Sequence, residues 1–223
     1  MKNKLWKISI CCGVLMIISS VMLCISNMLE SMKAGERSEN ILSSLKSQIS
    51  SENESPSEAV TQNAEDLFYE YETQASKEIV IDNTGYSCYI TIPAIDIELP
   101  VMSGWDYQKL KNSPSVYSGS IGTRDLIIAA HNYNTHFGKI YTLSDGDEII
   151  ITDVSGEKYH YYVQDVEVVN GDDADGMVIG AGEQWDLTLF TCNLSGSKRV
   201  TVRAVLDDEE RQQTDQNDSQ KRF

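Results

Sequence analysis

From Ile8 to Leu29 the chain carries no charged residue. Such a run is long enough to cross a hydrocarbon core of about 30 Å. Inside that core a lone segment can satisfy its backbone hydrogen bonds only as a helix. The run therefore divides the protein into a short tip, a membrane helix and everything that follows. Lys2, Lys4 and Lys7 precede it and Glu30 follows. That asymmetry predicts a single-pass protein in the cell membrane, with its N-terminus in the cytoplasm and the remainder extracellular. A cleaved signal peptide is the competing reading. The run is longer than a usual signal core, however, and SNMLESM offers no small-x-small cleavage site. Residues 1–29 are expected to be a cytoplasmic tip and an uncleaved anchor.

Beyond the anchor, residues 30–78 turn to Ser, Glu, Gln and Asn, with acidic residues outnumbering basic ones. Ile41, Leu42, Leu45 and Ile49 have helical spacing and could line one short amphipathic helix. The rest reads as a solvated acidic stalk, too poor in apolar residues to fold alone. Residues 207–223 read as a disordered polar tail. A formal charge of −16 argues against a nucleic-acid partner. It also argues against electrostatic docking on anionic lipid, so contact with the membrane is expected through the N-terminal helix.

Residues 79–206 are patterned as strands. CYITIPAIDIELPV (Cys88–Val101) is two strand runs broken at Pro93, which has no N–H to give to a sheet. Trp105–Leu110 suggests one helical turn. LIIAA (Leu126–Ala130) is continuously apolar, as suits a strand buried on both faces. EIIITDV (Glu148–Val154) and KYHYYVQDVEVV (Lys158–Val169) are joined by a Ser155-Gly156 turn. A Gly/Asp-rich connection, 170–184, leads to DLTLFTCNLSGSKRVTVRAVL (Asp186–Leu206), a hairpin. Seven or eight short strands with few helical runs predict a mainly β fold, a closed or nearly closed barrel with short helices.

The five cysteines make no framework: Cys11, Cys12 and Cys24 fall in the apolar run, leaving Cys88 and Cys192. With no CxxC there is no zinc pattern. The alternatives for Cys192 are a disulfide with Cys88 or a free, reactive thiol. The hairpin favours the thiol, because it sets Cys192 at one strand's exit and Arg199 at the start of the next, near enough to influence a thiolate. Three histidines are available as proton carriers. His160 lies within an alternating strand. His131 ends a buried strand and His136 follows in the loop, and strand position favours His131 over His136.

TLFTC (Thr188–Cys192), AAHN (Ala129–Asn132) ahead of FGKIYTLSDGDEI, IPAIDIELPV and the downstream Arg199 together resemble the sortases. These are cysteine transpeptidases of Gram-positive cell surfaces. The resemblance spans about Tyr89 to Leu206 and implies an eight-stranded sortase-type β-barrel behind a single transmembrane helix. It implies Cys192 as nucleophile, His131 as general acid/base and Arg199 as the arginine that orients substrate and supports the oxyanion. Thr191 and Asn132 would contribute to substrate binding, and Arg203, on the same strand face as Arg199, would be structural. The implied partners are secreted proteins with an LPxTG-like C-terminal sorting signal, cleaved between Thr and Gly through a thioacyl enzyme. A peptidoglycan precursor or a pilin lysine would be the amine acceptor. In the family, Cys and His are not thought to form a tight ion pair, and a minor fraction of enzyme is correctly protonated.

No cofactor is expected. Asp172, Asp173 and Asp175 raise a calcium option, since clustered carboxylates suit a hard cation and some class A sortases bind calcium at this loop; a solvated acidic loop is the preferred reading. The subclass stays open. The absence of an Asp-Pro-Gly- or Asp-Pro-Trp-like lid speaks against a pilin-polymerising enzyme, and the short 170–184 connection speaks against class B. Two further readings are a cell-wall cysteine peptidase and a non-enzymatic surface domain.

Overall fold

The computed structural model describes residues 2–54, 77–172, 174–178, 184–193 and 195–207. One helix, α1 (Lys2–Glu54), is followed by nine strands: β1 (Ile79–Ile81), β2 (Thr84–Ile92), β3 (Ile97–Met102), β4 (Ser115–Ser118), β5 (Leu126–Ala129), β6 (Glu148–Asp153), β7 (Lys158–Asn170), β8 (Leu187–Cys192) and β9 (Lys198–Leu206). A five-residue helix, α2 (Ala174–Val178), lies between β7 and β8.

Eight of the strands close a barrel in the order β2-β3-β4-β5-β8-β9-β7-β6, with β6 pairing back onto β2 through Ile90↔Ile151. β1 stands outside the ring: it takes the first part of β2, at Thr84–Tyr86, where β6 does not reach. The β1–β2 hairpin turns on Asp82 and Asn83, both with positive φ, as a two-residue loop requires to match strand twist. Pro93 does end β2, opening a 3₁₀ turn to Ile95 before β3 begins. The helical turn expected at Trp105–Leu110 is instead a set of tight turns over 107–112. There the Asp106 carboxylate accepts backbone hydrogen bonds from Gln108 and Lys109.

The barrel interior is apolar throughout. Alternate residues such as Ile90, Ile128, Ile149, Leu189 and Val202 meet there, all at 1 % exposure or less. The outer face of β5 and β8 is also covered: Ile127, Ala129 and Phe190 pack under Met177 of α2 and Tyr117. That covering explains the unbroken apolar run read in β5.

Within the stalk expected over 30–78, the amphipathic helix expected at Ile41–Ile49 is part of a longer helix. As far as Glu54 those residues continue α1, and their seam of Ala34, Ser38, Leu42, Leu45 and Ile49 is buried. The spacing puts these five on one helical face. Leu45 and Ile49 close a second apolar cluster with Ile79, Tyr86, Met102 and Val154. Lys46 pairs with Glu98 at 2.6 Å at the rim of this contact and lies over the Tyr89 ring. The N-terminal part of α1 is exposed, and the helix is long and apolar enough to cross a membrane. The rest of the expected stalk, 55–76, and the expected tail beyond Asp207 fall outside the described residues.

Candidate active site

β5 and β8 are parallel neighbours with Ala129 opposite Phe190. One residue further on, the Ala130 amide donates to the Phe190 carbonyl at 3.2 Å, and Thr191 Oγ1 donates to the Ala130 carbonyl at 2.8 Å. The next residues, His131 and Cys192, therefore leave the sheet side by side, at a strand spacing of about 4.8 Å. On its other flank Cys192 is directly opposite Arg199 in the antiparallel β8–β9 ladder, a pairing that sets Cβ atoms roughly 5 Å apart.

Side-chain alternation decides which face they share. Leu126, Ile128 and Ala130 point into the barrel, as do Leu187 and Leu189 on β8 and Val200, Val202 and Ala204 on β9. His131, Cys192 and Arg199 have the opposite parity and fall on the outer face. Three adjacent strand ends thus carry an imidazole, a thiol and a guanidinium along one edge, with the thiol in the middle. Beside them runs an aromatic ladder, Trp105 to Tyr117 at 5.1 Å and Tyr117 to Phe190 at 5.2 Å between ring centroids, all edge-on.

His131 is half-buried between two tyrosines, its ring 6.2 Å from Tyr107 and 5.1 Å from Tyr133. Burial pushes its pKa below the ordinary imidazole value, and the nearby Glu30 carboxylate works against that shift. The loop after it turns tightly. The His136 and Gly138 amides donate to the Tyr133 carbonyl, and a Cβ on Gly138 would stand 2.6 Å from that oxygen, a place only glycine fits. Asn132 lies at this turn with its Oδ1 over Gly138.

Cys192 is a free, half-buried thiol. Cys88 is also free but sits in the barrel interior, where burial pushes its pKa up to about 12. The two lie on opposite sides of the barrel wall, so the disulfide alternative does not describe this structure. In the β8–β9 turn, Asn193 Oδ1 accepts from the Lys198 amide and Ser195 Oγ. Arg199 Nη1 donates to the Gly196 and Lys198 carbonyls at 3.0 and 3.1 Å, folding the guanidinium against the turn.

The remaining candidates stand apart from this edge. His136 is fully buried, its pKa pushed down to about 4 by burial and by the neighbouring His131, so it is a neutral imidazole packed against Tyr133. His160 pairs with Glu148 at 2.7 Å across β6 and β7. Arg203 is wholly buried, and its guanidinium is held by Glu167, the Thr188 hydroxyl and the Gly176 and Met177 carbonyls, which ties α2 to the sheet. Thr191 is 2 % exposed and its hydroxyl serves the Ala130 carbonyl, so what it does here is brace the cysteine strand to the histidine strand. Among the described residues no group of three or more His, Cys, Asp or Glu is placed to hold a metal. Asp172 is exposed, and Asp173 and the side chain of Asp175 lie outside the described residues.

Sequence reading missed Tyr107, Tyr133 and Glu30. Tyr133, two residues after His131, could have been suspected from alternation. Nothing local marks Tyr107 or Glu30, which arrive from distant segments.

A family model described as a sortase domain matches residues 90–207. No curated protein sequence matches the chain. Solved structures do. A sortase D5 transpeptidase of Clostridium perfringens is 21 % identical, with a TM-score of 0.56 over 77 % of this chain and 99 % of the other. Sortase C1 of Streptococcus agalactiae is 24 % identical, with a TM-score of 0.51 over 79 % and 96 %. Clostridium perfringens sortase C, solved with a C-terminal cell wall sorting motif, is 25 % identical, with a TM-score of 0.50 over 73 % and 98 %. The first two establish likeness of fold, and the match over more than half of the sequence goes further: this chain belongs to the sortase family, the cysteine transpeptidases.

Proposed function

We propose that the protein cleaves an LPxTG-like sorting signal at the Thr–Gly bond and transfers the new carboxyl end to an amine, working from the outer surface of the membrane that α1 spans. The single observation behind this reading is the meeting of Cys192, His131 and Arg199 on the outer face of three adjacent strand ends. A relative crystallised with a cell wall sorting motif supports the substrate class.

Cys192 Sγ, as thiolate, attacks the threonine carbonyl carbon. The carbon–sulfur bond forms, and the electron pair moves to the oxygen. Collapse of that tetrahedral species breaks the carbon–nitrogen bond while His131 gives its proton to the departing amine. The acceptor amine then attacks the thioester, His131 takes up its proton, and the thiolate leaves. Arg199 lies opposite the nucleophile and serves the oxyanion and the substrate backbone once it swings from the turn carbonyls it now holds. Asn132 and the aromatic ladder of Trp105, Tyr117 and Phe190 offer polar and apolar contacts to the peptide. The acceptor is an amine of the cell wall or of a pilin. The short β7–β8 connection, with its five-residue helix, speaks against class B.

The test uses the full-length protein in detergent or nanodiscs with a sorting-signal peptide and an amine acceptor. Joined product and a thioacyl adduct at Cys192, both lost in Cys192→Ala, are expected. Cleavage without joining would make the protein a peptidase, and no adduct would make the edge inert.

A further inference from the structure

The helix that carries the apolar run also fixes the height of the barrel above it. Thr135 donates its hydroxyl to the carbonyl of Ser31, two residues beyond that run, at 2.9 Å. Gly35 permits the approach: a Cβ there would stand 2.8 Å from Thr135 Cγ2. Further along the helix, Arg37 Nη1 donates to Asn112 Oδ1 at 3.2 Å. The loop after β5 and the β3–β4 connection are therefore seated on α1 just past its apolar run. The opposite end of the barrel stands higher. Leu45 lies sixteen residues beyond Leu29, about 24 Å along the helix axis. It shares an apolar cluster with Val154 of the β6–β7 turn.

The low end differs in charge from the rest of the chain. A groove between α1 and the β3–β4 connection is lined by Ser26 and Leu29 of the apolar run and by Glu30, Lys33, Arg37 and Lys111. Three cations meet one carboxylate there, whereas the chain as a whole has 34 acidic residues and 18 basic ones. Lys111 is exposed. A groove shared with Ser26 and Leu29 sets it where hydrocarbon gives way to headgroups, a layer roughly 5–7 Å deep on each side of a bilayer. The same connection exposes Trp105 and Tyr107, at 45 % and 70 %, amphipathic rings of the kind that collect in that layer. Its one carboxylate, Asp106, is turned to the Gln108 and Lys109 amides.

We propose that this groove and the β3–β4 connection bind the headgroups of anionic lipid in the outer leaflet, seating the low end of the barrel, and with it the loop after His131, on the bilayer surface. Lys33, Arg37 and Lys111 supply the cations, and Trp105 and Tyr107 the interfacial rings. The proposal rests on α1 spanning the membrane, as in the reading above, and needs no transpeptidation. The acidic balance of the whole chain does not oppose it, because charges beyond a Debye length, about 8 Å at physiological ionic strength, are screened. A surface potential near −30 mV concentrates protons about three-fold, and the free-amine fraction of a lysine in that layer falls by the same factor. About 24 Å away, three Debye lengths off, the effect is gone.

The experiment uses full-length protein in nanodiscs of phosphatidylcholine, alone or with about one third phosphatidylglycerol, and reads the acetylation rate of single lysines by mass spectrometry. Lys158, exposed where β7 leaves the high β6–β7 turn, is the reference. Lys111 and Lys33 should react about three-fold more slowly in the anionic discs and Lys158 equally in both. Salt at 1 M, where the Debye length is about 3 Å, should erase the difference. A Lys111 rate that is the same in both discs overturns the proposal even if Lys33 slows, because Lys33 belongs to the helix and Lys111 to the barrel. Equal slowing at Lys158 overturns it as well, as a general effect of the lipid. So does slowing by inorganic phosphate added to phosphatidylcholine discs, which would make the groove a site for the free ion. Cys24, exposed on α1, tests the reading underneath: an impermeant maleimide should leave it unlabelled in either disc. Labelling of Cys24 ends the spanning reading and the proposal together, whereas a shielded Cys24 with an unaffected Lys111 ends the proposal alone.

Discussion

The brace between the cysteine and histidine strands is one hydroxyl, and Thr191→Val removes it with little change of shape. Thr191 is 2 % exposed, and its hydroxyl meets the Ala130 carbonyl at 2.8 Å, next to His131 and Cys192. Ala130 is itself 4 % exposed, so water cannot replace the lost donor. A buried acceptor left short of a partner costs about 1–3 kcal/mol. For a domain of this size that is a fall in Tm of roughly 4–10 °C. The rate should fall further than stability alone predicts. His131 and Cys192 are aligned only by the register of β5 and β8, and a misplacement near 1 Å can cost about 10²-fold. We expect a rate loss of roughly ten-fold at a temperature where the variant is fully folded. Thr191→Ser keeps the hydroxyl and should recover most of both losses. The assays are thermal unfolding followed by circular dichroism, and transpeptidation of a sorting-signal peptide on the same samples. A Thr191→Val protein with wild-type Tm and rate would refute the bracing role outright.

Other outcomes follow from the same geometry. Arg203→Ala should cost about 2–5 kcal/mol, because it empties a wholly buried side chain and leaves the Gly176 and Met177 carbonyls without their donor; denaturant unfolding reads the loss. Leu45→Ala, at a fully buried contact between α1 and the barrel, should cost about 2–5 kcal/mol and speed hydrogen exchange along 30–54. His136 titrates near 4 when folded and near the ordinary imidazole value of about 6.5 when unfolded, so the unfolded chain binds more protons between those values. Stability should therefore rise with pH across that window, by about 3 kcal/mol in all, and His136→Gln should flatten the slope in urea titrations at pH 4 to 7.

Much of the barrel was legible because its strands obey period two: alternation marked β2, β6, β7 and the β8–β9 hairpin, and an unbroken apolar run marked β5. The candidate site was legible as far as strand ends carry it: His131 and Cys192 stand where an apolar pattern stops, and Arg199 where the next one begins. The docked part of α1 was legible only in part: the helical spacing of Leu42, Leu45 and Ile49 marked its face, while its length and its start did not show. Its seam includes Ala34 and Ser38, small residues that let a helix approach but score as polar or neutral, within a segment rich in Ser and Glu. The bond from the Thr191 hydroxyl to the Ala130 carbonyl was not legible, because its direction depends on inward parity beside a neighbouring strand. Glu30 and Tyr107 were invisible for a different reason: they reach His131 only after the chain has closed on itself, and no local pattern encodes that meeting.

An interior packed with Ile, Leu and Val leaves no room inside this barrel for a peptide, so chemistry is confined to its outer face. At the strand ends that face carries His131, Cys192 and Arg199, the groups proposed to react. The cover comes from elsewhere: Trp105 and Tyr107 from the β3–β4 connection, Met177 from α2 and Tyr133 from the loop after β5. Geometry of the acyl transfer is therefore held by backbone ladders that a surface substitution cannot shift. What a peptide meets on approach, and how far His131 is buried, depends on three segments outside the ladders, of which the loop after β5 also meets the edge through the Phe137 amide donating to the His131 carbonyl. Substitutions in those segments should change KM and the pH profile while leaving the fold intact, whereas substitutions at inward positions such as Ile128, Leu189 or Val202 should change stability first.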